Sequence, residues 1–85
     1  SIVKNLQQLT ERDRMEEFMF LGLRMMEGVS MEKFERYFGK PYMEVYGKVQ
    51  KKMEDKRFLI NDNGYVKLTE FGIDLSNYVM SEFLF

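Results

Sequence analysis

The stretch from Met15 to Ser30 is the longest mainly apolar part of the chain and predicts a central helix. Its large apolar side chains recur at helical spacing and cover most of the circumference: Met15, Phe18, Met19, Phe20, Leu21, Leu23, Met25 and Met26. A helix of this kind has to be covered, either by later parts of the same chain or by a larger protein. Arg24 is the only charged residue in the central part of this run, Phe18–Met26.

Short polar residues and glycines mark the predicted ends of this helix. Thr10 and Asp13 form a capping-box pattern, which places the first helical residue at Glu11. Gly28 is predicted to end the helix, because glycine readily takes the left-handed conformation that follows a last turn. A weakly apolar lead-in, Ser1 to Leu9, precedes it.

Two more helices are predicted next. Ser30 is a good N-cap for a short helix that runs to about Phe38, and Gly39 ends it. Pro41 suits the first turn of a third helix, which extends to about Lys56. The third helix carries an apolar stripe on one face, formed by Tyr42, Val45, Tyr46, Val49 and Met53.

The hydrophobic period then changes from helix to strand. Phe58–Ile60 and Tyr65–Leu68 read as two strands, and Asn63-Gly64 can supply the positive φ angles of a tight hairpin turn. Thr69 is predicted to cap one last helix. The stripe of that helix is predicted to cover the central helix and consists of Phe71, Leu75, Tyr78, Val79 and Phe83.

The order of the elements is therefore three helices, a β-hairpin and a helix. This order predicts one mainly α domain of the α+β class over residues 1–85, with a winged-helix-like α-α-α-β-β-α arrangement. Met31–Phe38 and Tyr42–Lys56 would be its helix-turn-helix pair, and Phe58–Leu68 its wing.

Charge bears on whether such a fold meets nucleic acid. The 85 residues carry 13 basic and 14 acidic side chains, for a net charge of −1. The third helix presents Lys48, Lys51, Lys52 and Lys56, but acidic residues interrupt them and the predicted hairpin tip is anionic. The composition favours a solvated helix face, and a free-standing winged-helix module that binds nucleic acid or protein remains the alternative.

Cysteine and histidine are both absent. Disulfides, thiol nucleophiles, iron–sulfur ligation, the usual zinc sites and an imidazole base are therefore excluded for this sequence. The eight methionines fit an adaptable core or a docking surface, with axial haem ligation by Met or Tyr as the alternative. No apolar run approaches the ~18 residues of a membrane span, so we expect a cytoplasmic protein.

Arg24 is the charged residue with the most unusual predicted surroundings. A guanidinium inside an apolar helix needs a partner or a route to water. We expect an ion pair at the edge of the core, with Glu17, Glu27 or a carboxylate across the fold as its partner. Contact with a ligand carboxylate or with another domain is the alternative.

Two stretches together resemble a known family. Residues 17–29 match the pattern E-x-x-x-L-G-L-R-x-x-x-G-[IV], and residues 68–84 match L-T-x-x-G-x-x-x-S-N-x-V-x-x-x-F-L. Both patterns are similar to the C-terminal domain of oxygen-independent coproporphyrinogen III oxidase-like proteins. The Ser-Asn-x-Val ending is closer to the haem-chaperone branch of that family, the HemW type, than to the decarboxylating oxidases.

The resemblance implies that this chain is part of a larger protein. Family members carry an upstream radical S-adenosylmethionine barrel that binds a [4Fe–4S] cluster, and none of that barrel is present here. The C-terminal domain would pack against the barrel and help to enclose a porphyrin or haem site, without catalysing a reaction itself. Arg24, through its charge, and Asn77, through its amide, are the motif residues that the resemblance makes candidates for contact with substrate or with the barrel.

Overall fold

The computed structural model describes residues 9–85, and the lead-in at residues 1–8 lies outside the described part. Within residues 9–85, five helices and three strands follow one another. They are α1 (Glu11–Leu23), β1 (Val29–Ser30), α2 (Met31–Phe38), α3 (Tyr42–Asp55), β2 (Leu59–Asp62), β3 (Tyr65–Leu68), α4 (Glu70–Asp74) and α5 (Ser76–Ser81). The predicted α+β class is confirmed, and the winged-helix-like arrangement stays a prediction.

Helix α1 begins where the sequence predicts and ends earlier. The Thr10 hydroxyl accepts a hydrogen bond from the Asp13 backbone N–H at 3.1 Å, and the Asp13 carboxylate accepts one from the Thr10 N–H at 3.0 Å. The helix stops at Leu23 instead of continuing to Gly28. Its buried face consists of residues four apart, Met15, Met19 and Leu23.

The chain leaves α1 because it has to reach a strand that the sequence did not predict. Residues 24–28 form two consecutive turns, in which the Met25 N–H donates to the Gly22 carbonyl and the Gly28 N–H to the Met25 carbonyl. Val29 then pairs with Val66 in an antiparallel ladder, and the sheet has the order β1-β3-β2. The turns place Met25 and Met26 on the surface, so neither is covered by the rest of residues 9–85.

The hairpin between β2 and β3 is confirmed. Asn63 and Gly64 have φ angles of 52° and 89°, as a two-residue turn of this type requires. The Asn61 side-chain oxygen accepts a hydrogen bond from the Gly64 N–H at 2.9 Å. The first strand is shifted relative to the prediction, because Asn61 and Asp62 also pair, opposite Val66 and Tyr65.

Helices α2 and α3 form as predicted, and their aromatic rings build one end of the core. Ser30 caps α2, and Gly39 ends it with a φ angle of 70°. Phe34 is completely buried, and four aromatic rings lie with their centroids within 6 Å of its own: Phe18, Phe38, Tyr42 and Tyr46. Edge-to-face contacts of this kind add to the free energy gained by burial alone.

The predicted last helix is interrupted. The chain bends at Leu75, whose φ and ψ angles are −115° and 32°, and this bend separates α4 from α5. Val79 and Phe83 are buried as predicted, whereas Phe71, Leu75 and Tyr78 are exposed. Only the α5 end of the predicted stripe therefore reaches the core.

Three glycines lie where another chain segment passes too close for a side chain. A Cβ atom at Gly22 would lie 2.5 Å from a Val29 methyl group, and one at Gly28 would lie 2.2 Å from the Val66 carbonyl oxygen. At Gly72 the distance to the Phe58 carbonyl oxygen would be 2.0 Å. These glycines set the distances between α1, the sheet and α4.

Gly72→Ala is expected to lower the free energy of unfolding by about 1–3 kcal/mol or more, because the new methyl group meets backbone atoms that cannot rotate away. Gly47→Ala is the matched control within α3, where the nearest atom would be the flexible Met43 methyl at 3.8 Å. The control should raise stability by roughly 0.5–1 kcal/mol. Urea denaturation of both variants measures the difference, and equal stabilisation by the two would contradict the close approach at Gly72.

Two buried tyrosines in α3 differ in how their hydroxyl groups are satisfied. The Tyr42 hydroxyl donates to the Gln50 side-chain oxygen at 2.7 Å, and the Gln50 amide donates to Glu54 at 2.9 Å. The Tyr46 hydroxyl is buried and has no hydrogen-bond partner within residues 9–85. Burial raises the pKa of Tyr42, with Tyr46 and Glu54 adding to the shift, and burial followed by Glu16 raises the pKa of Tyr46.

Tyr42→Phe is therefore expected to cost about 1–3 kcal/mol of stability, because it leaves the Gln50 oxygen buried without a donor. Tyr46→Phe should be neutral or slightly stabilising, because it removes a buried hydroxyl that is already unpaired. Thermal or urea unfolding compares the two variants. A larger loss for Tyr46→Phe would show that its hydroxyl has a partner in solution.

Candidate functional site

Arg24 and Asn77, the two predicted contact residues, line the same cavity. The cavity has a volume of about 470 Å³ and lies between the end of α1, strand β3 and the α4–α5 segment. Arg24 follows the last residue of α1, and Asn77 lies in the first turn of α5. The fold thus brings together two residues that are 53 positions apart in the sequence (77 − 24 = 53).

The cavity has a buried apolar floor and exposed apolar side chains on its rim. Leu23 and Met80 form part of its buried floor, with 4% and 8% of their surface exposed. Met25 and Ile73 on the rim are about 60% exposed, and Met26 is 98% exposed. We call the surface formed by Arg24, Met25, Met26, Ile73 and Asn77 the groove face.

The groove face contains one cation that is not engaged by the rest of the described structure. Lys67 lines the cavity and forms an ion pair with Asp62 at 3.1 Å. Arg24 is exposed, and within residues 9–85 its guanidinium forms neither an ion pair nor a hydrogen bond. A carboxylate from outside the described residues could therefore approach it without displacing an existing partner.

The prediction that Arg24 forms an internal ion pair is wrong. That prediction assumed that the helix continues to Gly28, which would hold Arg24 among apolar neighbours. Because α1 ends at Leu23, Arg24 enters the first of the two turns and its side chain is exposed to solvent. Glu17 and Glu27, the predicted partners, are also exposed.

Asn77 is the second predicted contact residue that lines the cavity. Its side chain is exposed, and it makes no hydrogen bond within the described part of the chain. An amide can both donate and accept, so Asn77 can bind a carboxylate, a backbone amide or a carbonyl group. Its role in contact with substrate or with another domain stays a prediction.

The groups on the groove face are suited to binding. A guanidinium, an amide and thioether side chains offer hydrogen bonds, charge and apolar contact. Iron–sulfur clusters are held by cysteine thiolates, and this sequence contains none, so the residues present do not fit a cluster. Within residues 9–85, no group of three or more acidic side chains is arranged to hold a metal ion.

The lysines on α3 are partly neutralised. Lys51 pairs with Asp55 at 3.4 Å, and Lys52 pairs with Glu82 of the C-terminal segment. Lys48 and Lys56 lie on the same face. Carboxylates among the lysines weaken the attraction for phosphates, and the absence of nucleic acid as a partner stays a prediction.

Comparison with known proteins assigns the chain to a family. Residues 9–75 match the sequence model of the HemN C-terminal domain, and the chain belongs to that family. The resemblance read from the two sequence patterns is thereby confirmed.

Two curated relatives indicate which branch of the family the chain resembles. The chain is 36% identical over 80 residues to a protein named heme chaperone HemW from Lactococcus lactis subsp. lactis (strain IL1403). This match covers 94% of the chain and 21% of that protein. It is 33% identical over 81 residues to the heme chaperone HemW of Bacillus subtilis (strain 168), covering 95% and 21%. The chain thus spans about a fifth of the length of these relatives. No solved structure matches the chain.

The sequence indicated part of the groove face and missed the rest. Arg24 and Asn77 were identified because they are polar residues within the two motifs. Met25 and Met26 were predicted to be covered, either by the same chain or by a larger protein, and Ile73 was not singled out. Their exposure depends on the turns after α1 and on the bend at Leu75, for which the hydrophobic pattern gives no signal.

Across residues 9–85, no helix has the length and apolar character to cross a bilayer.

Arg24→Met is expected to change the free energy of unfolding of the 85-residue chain by no more than about 0.5 kcal/mol, because the side chain is exposed and unpaired within the described structure. Removal of one member of a buried ion pair would instead cost about 3–5 kcal/mol. Chemical denaturation of the variant beside the parent sequence measures the change. A loss of several kcal/mol would show that Arg24 does form an internal ion pair.

Proposed function

We propose that this chain is a non-catalytic C-terminal accessory domain of a haem-chaperone-like protein. Residues 1–85 form one domain, which docks through the groove face on the radical S-adenosylmethionine barrel of the same cytoplasmic polypeptide. In this position the domain helps to enclose the site of a porphyrin or haem. The names of the relatives favour haem carriage over oxidation of coproporphyrinogen for the longer protein.

The observation that carries the proposal is the exposure of large apolar side chains around one cavity. Met26 is 98% exposed, and Met25 and Ile73 are each more than half exposed. Contiguous apolar surface of this kind marks a site where another surface binds. Methionine suits such a site, because its flexible and polarisable side chain adapts to the shape of its partner.

The length of the relatives supports an occupant from the same polypeptide. Both are matched over only 21% of their length, so most of each relative lies outside the matched segment. A surface on the same chain is present at high effective concentration, and its binding does not require the association of separate molecules. The cluster and S-adenosylmethionine would belong to the barrel, because this sequence supplies no thiolate.

Oxidation of methionine by dilute hydrogen peroxide tests whether the groove face is covered in the longer protein. Met43 on α3 is the internal reference, since it is 50% exposed and is not among the residues that line the cavity. If the groove face is docked, Met26 should be oxidised more slowly than Met43, although it is the more exposed of the two in this structure. Mass spectrometry of peptides from the same sample gives both rates.

The same reaction in concentrated urea provides the control, because the two methionines should then react at similar rates. Faster oxidation of Met26 than of Met43 in the folded longer protein would show that the groove face is open, and the docking proposal would be wrong.

A further inference from the structure

Arg24 sets a requirement on whatever covers the groove face. Burial of an unpaired guanidinium is unfavourable, because the interior does not replace its interaction with water. The described residues offer no carboxylate within ion-pair distance, although Glu27 and Asp74 are near in sequence to residues that line the cavity. The surface that docks must therefore bring the partner of Arg24 with it.

We propose that Arg24 pairs with an Asp or Glu carboxylate from the remainder of the same polypeptide, on a segment whose apolar side chains pack against Met26 and Ile73. This inference rests on the proposed function and specifies its contact. A guanidinium binds a carboxylate through two parallel hydrogen bonds, which fix orientation as well as providing attraction. Apolar neighbours exclude water and strengthen such a pair.

The polar groups that line the cavity favour a carboxylate as the partner of Arg24. Arg24 and Lys67 both line the cavity, and Lys67 is already paired with Asp62. The side chain of Asn77 lies in the same cavity and can donate a further hydrogen bond to a carboxylate that Arg24 binds.

A second copy of this chain is a poorer occupant. A symmetric dimer through the groove face would apply the same patch to itself and bring two Arg24 side chains towards each other. Like charges placed together at an interface are unfavourable, so a different and acidic surface fits better.

Carbodiimide cross-linking of the Arg24→Lys variant of the longer protein tests the pair. The reagent joins an amine to a carboxylate only when the two are in contact, and the lysine keeps the positive charge. We expect a cross-link within one molecule, from position 24 to an Asp or Glu outside the 85 residues. The matched control is Arg36→Lys, because Arg36 is exposed on α2 and its guanidinium lies 3.4 Å from Glu32. The control should cross-link only to its own helix.

Three results would overturn the inference: a cross-link from position 24 only to Glu27 or Asp74, a cross-link between two copies, or none at position 24 while the control reacts. A second variant gives an independent measurement. Arg24→Glu should make Met26 react faster with peroxide than Met43, whereas Arg36→Glu should leave Met26 protected. Continued protection of Met26 in Arg24→Glu would refute the ion pair and leave docking intact, while an unprotected Met26 in the unmodified protein would refute both.

Discussion

The backbone contact between Gly28 and β3 is the constraint on which the rest of the structure depends. A Cβ atom at Gly28 would lie 2.2 Å from the Val66 carbonyl oxygen, and its φ angle of 82° is one that other residues rarely adopt. Only glycine lets the chain pass this close and turn into β1. The Val29 methyl group then fills the space left by the missing side chain of Gly22 on α1, so these two glycines and Val29 set how closely helix and sheet approach each other.

The surface chemistry follows from that contact. Because the chain has to reach β3 at Val66, α1 cannot continue to Gly28, and the five residues from Arg24 to Gly28 are used for turns. Arg24, Met25 and Met26 therefore lie in surface turns and not in the helix that the sequence predicts. The same family motif therefore contains residues of two kinds, glycines that set distances inside the fold and side chains that have no partner within the described residues.

The sequence predicts elements whose causes are local. The capping box at Thr10 and the Asn63-Gly64 turn depend on neighbouring residues only, and both form as predicted. Strand β1 has two residues, too few for a hydrophobic period, and it exists because β3 offers free backbone groups. The exposure of Arg24 likewise depends on the pairing of β1 with β3, which ends α1 at Leu23, so it could not be derived from periodicity. The hydrophobic period also gives no signal for the bend at Leu75. Arg24 and Asn77 were found through their motifs, whereas their presence at one cavity required the fold.

The balance of free energies on the groove face explains why one charged residue can decide what binds there. Complete burial of a Met, Leu or Ile side chain contributes about 1.5–3 kcal/mol. Burial of an unpaired guanidinium costs several kcal/mol, roughly what two such side chains contribute. An apolar surface without a carboxylate would therefore gain little from covering Met26 and Ile73. A surface with a carboxylate opposite Arg24 would keep the apolar contribution, so the apolar side chains would provide most of the attraction and Arg24 would select the surface that binds.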